Sequence, residues 1–220
     1  MSRTRRFDLL VFDWDGTLFD STRLIARCIQ SACADLGTTV PSDRDASFVI
    51  GLGLADALRH AAPDLPPERY RELGERYRFH YLASQNDIVL FDGSAAMLRG
   101  LKSRNHWLGV ATGKTRRGLD EALQRSELNG LFDATRTADE TAGKPDPLML
   151  HELMRELGTS SERTLMVGDT THDLQLAANA GCASVAVSFG AHEPEAFVDH
   201  RPLHVAHSTA ELDAWLLAHA

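Results

Sequence analysis

The sequence predicts an α/β protein built on a doubly wound parallel sheet, with a small α-helical module inserted into it. Four short, mostly apolar runs have the composition of strands buried in a parallel sheet, and helical patterns follow them. About ninety residues separate the first run from the second, far more than one crossover helix needs. The alternation of strands and helices favours βαβ units, and the excess length indicates the insertion.

The four predicted strands are the runs at residues 7–12, 107–112, 164–168 and 184–189. Leu119 and Leu123 mark the apolar face of the helix after the second run, and Leu174 and Ala178 mark that of the helix after the third. Further helices are predicted between these two, at residues 94–104 and at the C-terminal end. Each helix has an apolar face that can cover the sheet.

The insertion is predicted to be a helical cap. Leu24 and Leu36 begin and end one amphipathic stripe, and Tyr70, Tyr77 and Tyr81 lie on a second one. We interpret the tyrosines as packing within the cap and not as a ligand platform. The predicted boundaries place the cap at residues 20–91 and the core at residues 1–19 and 92–220.

Composition excludes several classes of protein. The 220 residues include 23 Lys and Arg against 31 Asp and Glu, and a net charge of -8 opposes binding to nucleic acid. Three cysteines without a C-x-x-C pair indicate neither a disulfide framework nor a thiolate metal site. No run is long and apolar enough to span a membrane, so we predict no membrane partner and a cytoplasmic location.

Polar residues lie where the predicted strands end, which is the edge where open α/β sheets bind ligands. Side chains alternate along extended backbone, so the carboxylates of Asp13 and Asp15 are expected to point the same way. The candidate site residues from this edge and the loop near it are Asp13, Asp15, Thr112, Gly113, Lys144, Asp169 and Asp173.

Carboxylates crowded into one site repel each other unless a cation compensates them. All the candidate ligand atoms are oxygens, the donors that Mg²⁺ prefers, so the predicted cofactor is Mg²⁺. A phosphate beside that ion can be attacked in line by a carboxylate. Lys144 and the Thr112 hydroxyl suit the charge on the phosphoryl oxygens, and Asp15 can donate a proton to the leaving alkoxide.

The motifs DWDGT, VATG, GKPDP and VGDTTHD occur in this order across nearly the whole chain. With them the chain resembles haloacid-dehalogenase superfamily hydrolases, in the subfamily with a helical cap after the first motif, and within it the phosphoglycolate phosphatases. One motif would be a weak signal, but four at matching strand ends are a strong one. The resemblance implies a Rossmann-like core and a Mg²⁺-dependent phosphatase that acts on a small phosphorylated metabolite.

The resemblance also implies roles for the aspartates. Asp13 would become the aspartyl-phosphate, and Asp15 would act as acid and base while its backbone carbonyl contacts Mg²⁺. Asp169 would bind the metal through its side chain. Asp173 would either belong to the metal site or support Lys144, which would also pair with Asp13.

Thr112, Gly113 and Lys144 would bind the phosphoryl group, but the second motif departs from the family pattern. Gly113 stands where an Asn is common, so only a backbone N–H remains there. Two other positions bear on the reaction. Asp15 favours phosphate esters over halides and phosphonates, and Gly168 stands where sugar-phosphate mutases often have Glu, which favours a phosphatase.

Two other functions stay open at this point, a sugar-phosphate mutase and a non-catalytic, receiver-like phospho-acceptor or binding protein. Phosphoglycolate, sugar phosphates, nucleotides and pyrophosphate are all possible substrates, and the sequence does not fix the oligomeric state. By family analogy, the loop at residues 51–53 would select the leaving group, and a bulky residue at Leu52 should change substrate ranking. Lys114 is balanced between loop lysine and site residue, and His172 has no assigned role.

Overall fold

The structure is a computed structural model that describes residues 6–220. Within these residues, the strands are β1 (Leu9–Phe12), β2 (Phe19–Asp20), β3 (Val89–Leu90), β4 (Trp107–Thr112), β5 (Ala134–Thr137), β6 (Thr164–Gly168), β7 (Ala183–Val187) and β8 (Val205–Ala206). The α-helices are α1 (Thr22–Asp35), α2 (Asp43–Phe48), α3 (Leu54–Ala61), α4 (Tyr70–Ser84), α5 (Ser94–Ser103), α6 (Arg116–Arg125), α7 (Leu148–Leu157), α8 (Thr171–Asn179) and α9 (Thr209–His219).

Six strands form the main sheet in the order β5-β4-β1-β6-β7-β8, and all neighbours are parallel. From β1, the chain builds the sheet first through β4 and β5 on one side and then through β6, β7 and β8 on the other. The predicted doubly wound α/β sheet is therefore confirmed. The carboxyl ends of β1, β4 and β6 lie side by side at the point where the strand order reverses, the usual place for a ligand site in such sheets.

Both faces of the sheet are covered. Leu10 and Phe12 of β1 belong to a hydrophobic cluster that includes apolar residues of α5, α6 and α9. Leu9 and Val11 belong to a second cluster, with residues of α7 and α8. This two-residue alternation buries every residue of β1, which explains why its sequence is a continuous apolar run.

Helices α1 to α4 lie between β2 and β3, which pair as a short antiparallel ribbon. They have a hydrophobic cluster of their own, to which Ile29 of α1, Leu58 of α3 and Leu73 of α4 contribute. We call residues 21–88 the cap, since these helices share that cluster. The predicted boundaries at residues 20 and 91 lie near the ribbon and stay a prediction.

None of the helices within residues 6–220 combines the length and apolar character that a membrane span requires.

Candidate active site

Strand β1 brings two aspartates to the carboxyl edge of the sheet. Asp13 follows the strand directly, and its N–H donates to the carbonyl of Val167 in β6 at 2.9 Å. Asp13 is 1% exposed and Asp15 is 8% exposed, and both line one cavity. Trp14 between them belongs to the core and stacks on Phe19, with ring centroids 4.6 Å apart. The buried tryptophan fixes the turn that presents the two carboxylates.

Three buried carboxylates meet at this edge. Asp13, Asp169 and Asp173 each offer an oxygen atom within 4.8 Å of the others. Asp169 follows β6 and is held by two donors: the Thr17 hydroxyl is 2.8 Å from its Oδ1, and the Ala191 N–H donates to its Oδ2 at 2.7 Å. The sequence prediction that distant acidic residues converge here agrees with this geometry.

Lys144 joins two of these carboxylates. Its Nζ lies 2.7 Å from Asp13 Oδ1 and 2.6 Å from Asp173 Oδ1, and its side chain is fully buried. The other oxygen of Asp173 accepts hydrogen bonds from the backbone N–H and the hydroxyl of Thr170, at 3.1 and 2.7 Å. The Asp173 N–H donates in return to Thr170 Oγ1 at 3.3 Å, and with the bond from the Thr170 N–H it forms a capping box that fixes Asp173 in the first turn of α8.

The charges of the site do not balance. Burial raises the pKa of Asp13 to about 7, with further upward contributions from Asp173 and Asp15 that Lys144 offsets in part. Burial also raises the pKa of Asp169 well above its ordinary value, and the charges of Asp13 and Asp173 add to this. Three buried carboxylates therefore lie together, and a single buried ammonium group pairs with two of them.

A divalent cation fits this site. Within residues 6–220, Oδ2 of Asp13 is buried and accepts no hydrogen bond, while Oδ1 lies 2.7 Å from the Nζ of Lys144. A buried carboxylate oxygen without a donor is costly, and a metal ion would satisfy it. Asp13, Asp169 and Asp173 supply oxygen atoms only, the donors that Mg²⁺ binds in proteins.

Strand β4 brings Thr112 and Gly113 to the same cavity. The Thr112 side chain is 1% exposed, and its Oγ1 accepts the Lys114 N–H at 3.2 Å. A Cβ placed on Gly113 would lie 2.3 Å from the carbonyl oxygen of Leu52 and 2.7 Å from that of Gly51. Gly113 therefore permits the backbone of the cap loop at residues 51–53 to approach the end of β4, which explains the absence of the family's Asn.

Lys114, for which the sequence favoured a loop lysine and a site residue equally, lies at the site. Its Nζ lies 3.0 Å from Asp15 Oδ2 and 3.0 Å from the Tyr81 hydroxyl of α4. The Ser21 hydroxyl donates to the other oxygen of Asp15 at 2.7 Å. Although burial alone would lower the pKa of Lys114, the charges of Asp15, Tyr81 and Tyr77 raise it. Lys114 is thus a charged link between the core and the cap.

Two histidines make a second contact with the cap. Nε2 of His172 lies 2.8 Å from the carbonyl oxygen of Phe48, and Nε2 of His192 lies 3.0 Å from the same oxygen. The Thr171 N–H donates to Nδ1 of His192 at 3.0 Å, so His192 carries its proton on Nε2 and donates it to the cap. From the sequence alone, His172 had no assigned role and His192 was not singled out.

The cavity between the cap and the core has a volume of about 780 Å³. It includes Asp13 and Asp15 at the sheet edge and the cap loop residue Leu52. Tyr77 and Tyr81 pack against the cap cluster, as the sequence predicts, and they also line this cavity. The cavity is therefore shared by both parts of the chain.

Replacing Gly113 by Ala is expected to lower kcat/KM by about tenfold or more, because the added methyl meets two backbone carbonyls of the cap loop and overpacking costs about 1–3 kcal/mol. Gly143→Ala is the matched control, since a Cβ there lies 3.8 Å from the Gly53 nitrogen. Steady-state kinetics and hydrogen exchange of residues 48–53 would measure both variants. Equal effects of the two substitutions would contradict this steric role of Gly113.

A family model described as "Haloacid dehalogenase-like hydrolase" matches residues 10–187. Among curated relatives, a phosphoglycolate phosphatase of Aliivibrio fischeri is 32% identical over 88% of this chain and 89% of its own length. A probable phosphatase IndB of Dickeya dadantii is 33% identical over 87% and 89%. A pyrophosphatase PpaX of Halalkalibacterium halodurans is 31% identical over 82% and 83%.

Solved structures share the fold. A predicted phosphoglycolate phosphatase from Haemophilus somnus superposes with a TM-score of 0.84 at 26% identity, covering 96% of this chain and 98% of that one. A haloacid dehalogenase-like hydrolase from Bacteroides fragilis gives a TM-score of 0.86 at 24% identity, over 94% and 99%. The likeness thus extends over the cap as well as the core.

Proposed function

The chain belongs to the haloacid dehalogenase-like hydrolase family and has the phosphatase activity of its relatives; on that premise we propose that it hydrolyses a small phosphomonoester with Mg²⁺, using Asp13 as the nucleophile. The observation that carries the proposal is the buried Asp13 carboxylate. It opens onto the cavity and lies beside Lys144 and two further carboxylates, and one of its oxygens accepts no hydrogen bond from the part of the chain that the structure describes.

Asp13, Asp169 and the backbone carbonyl of Asp15 would hold Mg²⁺, which when bound neutralises charge on the nucleophile and on the phosphate. Asp173 remains a candidate for the metal site. Both of its oxygens already accept hydrogen bonds, from Lys144 and from Thr170, and this favours the role of supporting Lys144.

In the first step, an Asp13 oxygen forms a bond to phosphorus while the bond from phosphorus to the leaving oxygen breaks. Asp15, which pairs with Lys114 in the substrate-free structure, would take up a proton from solvent as the substrate binds, while Lys114 keeps its contact with the Tyr81 hydroxyl. Asp15 then gives this proton to the leaving oxygen, so the leaving group departs as a neutral alcohol. In the second step, water attacks phosphorus and returns a proton to Asp15. The bond to Asp13 breaks, and inorganic phosphate is released.

The phosphoryl oxygens would be bound by Lys144, the Thr112 hydroxyl and the Gly113 N–H. Lys144 is already oriented by Asp13 and Asp173, so it needs little reorganisation when charge develops on those oxygens. Closure of the cap over these groups would exclude water during the first step.

A sugar-phosphate mutase is less well supported. A Cβ on Gly168 would lie 2.3 Å from Cβ of Asp173, so the Glu common in mutases at this position does not fit beside Asp173 as it is placed here. A receiver-like phospho-acceptor is disfavoured by the family match over residues 10–187. The test is Mg²⁺-dependent phosphate release from a generic aryl phosphate, and its absence in the wild type would refute the proposal.

Mg²⁺ is expected to stabilise the protein as well as activate it. At about a hundred times its Kd, the ion should raise Tm by about 5–10 °C, because it binds only the folded carboxylate cluster. Asp169→Asn should remove most of this shift, whereas Asp87→Asn on the surface should retain it. Thermal unfolding with Mg²⁺ and with a chelator would measure both variants, and a full shift in Asp169→Asn would contradict the assigned ligand.

A further inference from the structure

We propose that the leaving group of the substrate is an uncharged alcohol with an extended apolar body, and not a carboxylate-bearing or second phosphate-bearing group. This inference rests on the proposed phosphatase function and names the substrate class of the same site. The walls, charges and size of the cavity next to Asp13 support it.

The walls of the cavity are mainly apolar on the cap side and at the ribbon. Ile25 and Ile29 of α1 are 7% and 2% exposed, Ile50 is 3% exposed, and Phe19 of β2 is 8% exposed. All four line the cavity, together with Leu54 at the start of α3. The free energy of binding becomes more favourable when an apolar group displaces water from such a surface.

Two ammonium groups, that of Lys114 in the cavity wall and that of Lys144 beside Asp13, are already paired with carboxylates. Lys114 has an ion pair with Asp15 at 3.0 Å, a contact with the Tyr81 hydroxyl at 3.0 Å, and its Nζ lies 5.1 Å from the centroid of the Tyr81 ring. Lys144 is paired with Asp13 and Asp173. A second anionic group on the substrate would compete with Asp15 for Lys114, and it would lose part of its hydration in doing so.

Three arginines also line the cavity, but they lie in solvent: Arg78, Arg117 and Arg125. Arg117 forms an ion pair with Glu121, and Glu127 lines the cavity as well. Exposed cations of this kind contribute little to binding, because water and salt screen them. These exposed arginines therefore do not replace Lys114 as a cation that could bind a second anionic group of the substrate.

The size of the cavity also favours a larger leaving group. A cavity of about 780 Å³ is in the range that holds drug-sized ligands, so a two-carbon leaving group would fill only a small part of it. Each methylene buried against the apolar wall is expected to raise kcat/KM by about fourfold. The preference should therefore grow with the length of an apolar leaving group until the cavity is full.

The first experiment compares primary alkyl phosphates of increasing length, ending with 3-phenylpropyl phosphate, against phosphoglycolate and pyrophosphate. The alkyl esters have closely similar leaving oxygens, so their ranking reports contacts with the cavity. We expect kcat/KM to rise along the series and to exceed that for both doubly anionic substrates by about tenfold or more. Preference for phosphoglycolate or pyrophosphate would overturn the inference, whereas hydrolysis of none of these compounds would count against the proposed function instead.

The second experiment fills the cavity from the cap. Ala57 of α3 lines it and is 6% exposed, so Ala57→Leu should lower kcat/KM for 3-phenylpropyl phosphate by about tenfold and leave that for ethyl phosphate within about twofold. Ala34→Leu on the exposed face of α1 is the control with the same change in size. Equal effects on the long and short esters would contradict the proposal, and Tm values would identify a variant that is merely unstable.

Discussion

Asp13→Asn is expected to lower Mg²⁺-dependent phosphate release by at least about a thousandfold and at the same time to stabilise the metal-free protein. The amide has no nucleophilic oxygen anion, so the bond to phosphorus does not form. It also removes one of three carboxylates that lie within 4.8 Å of each other, with Lys144 as the ammonium group between two of them. Loss of one repulsive charge should raise Tm by about 3 °C or more.

The stabilisation should depend on pH in a defined direction. Burial raises the pKa of Asp13 from 3.8 to about 7, so the folded state holds this proton more tightly than the unfolded chain does. The stability that this group contributes is therefore complete when the pH is below the pKa of Asp13 in the unfolded chain. It is lost as the pH rises through about 7, the pKa in the folded state. The Tm of Asp13→Asn should exceed that of the wild type most near about pH 8, and the difference should become progressively smaller towards about pH 5.

Thermal unfolding in the presence of a chelator, recorded over this pH range, would measure the effect. The phosphate-release assay under Mg²⁺ would measure the loss of activity in the same preparations. A variant that keeps a tenth of the wild-type rate would exclude Asp13 as the nucleophile. A variant that is inactive and also less stable at every pH would contradict the electrostatic account but not the catalytic one.

The residues that the sequence could locate are those at strand ends. Asp13 and Asp169 each follow a continuous apolar run, and parallel strands place such residues at one edge of the sheet. Lys144 does not follow a strand. The sequence made it a candidate as a loop lysine near the sheet edge, and only the family resemblance implied that it pairs with Asp13. Its contact with Asp13, 2.7 Å long, depends on how the loop before α7 crosses that edge. No periodicity in the sequence carries that information.

The contacts between the cap and the core could not be predicted from the sequence for a different reason. Lys114 and Tyr81 are distant in the chain, and His192 lies in a loop without a motif. The polar residues that follow β7 could have drawn attention to His192, since that strand also ends at the site edge.

Strand β5 was missed because Arg136 interrupts the apolar pattern that predicts a buried strand. In the structure, Arg136 pairs with Glu152 and Glu156 of α7.

Lys144→Met is expected to damage both folding and activity, in contrast to Asp13→Asn. Although burial alone would lower the pKa of Lys144, Asp13 and Asp173 raise it, so the side chain is a buried cation with two carboxylate partners. Its removal leaves buried carboxylates without their counter-charge, which should cost about 3–5 kcal/mol of unfolding free energy in the metal-free protein. Phosphate release should fall by at least about a hundredfold, because a preorganised donor to the phosphoryl oxygens is lost.

Lys102→Met provides the matched control for this prediction. Lys102 also pairs with an aspartate, Asp133, but its side chain is 33% exposed, so its removal should cost about 1 kcal/mol or less. The double variant Lys144→Met with Asp13→Asn should recover part of the lost stability and none of the activity, because it removes a negative charge along with the positive one. Denaturant unfolding of these variants in a chelator would measure the coupling. If Lys144→Met were no more destabilising than Lys102→Met, the buried carboxylates could not be held in place by Lys144, and the charge balance argued for this site would be wrong.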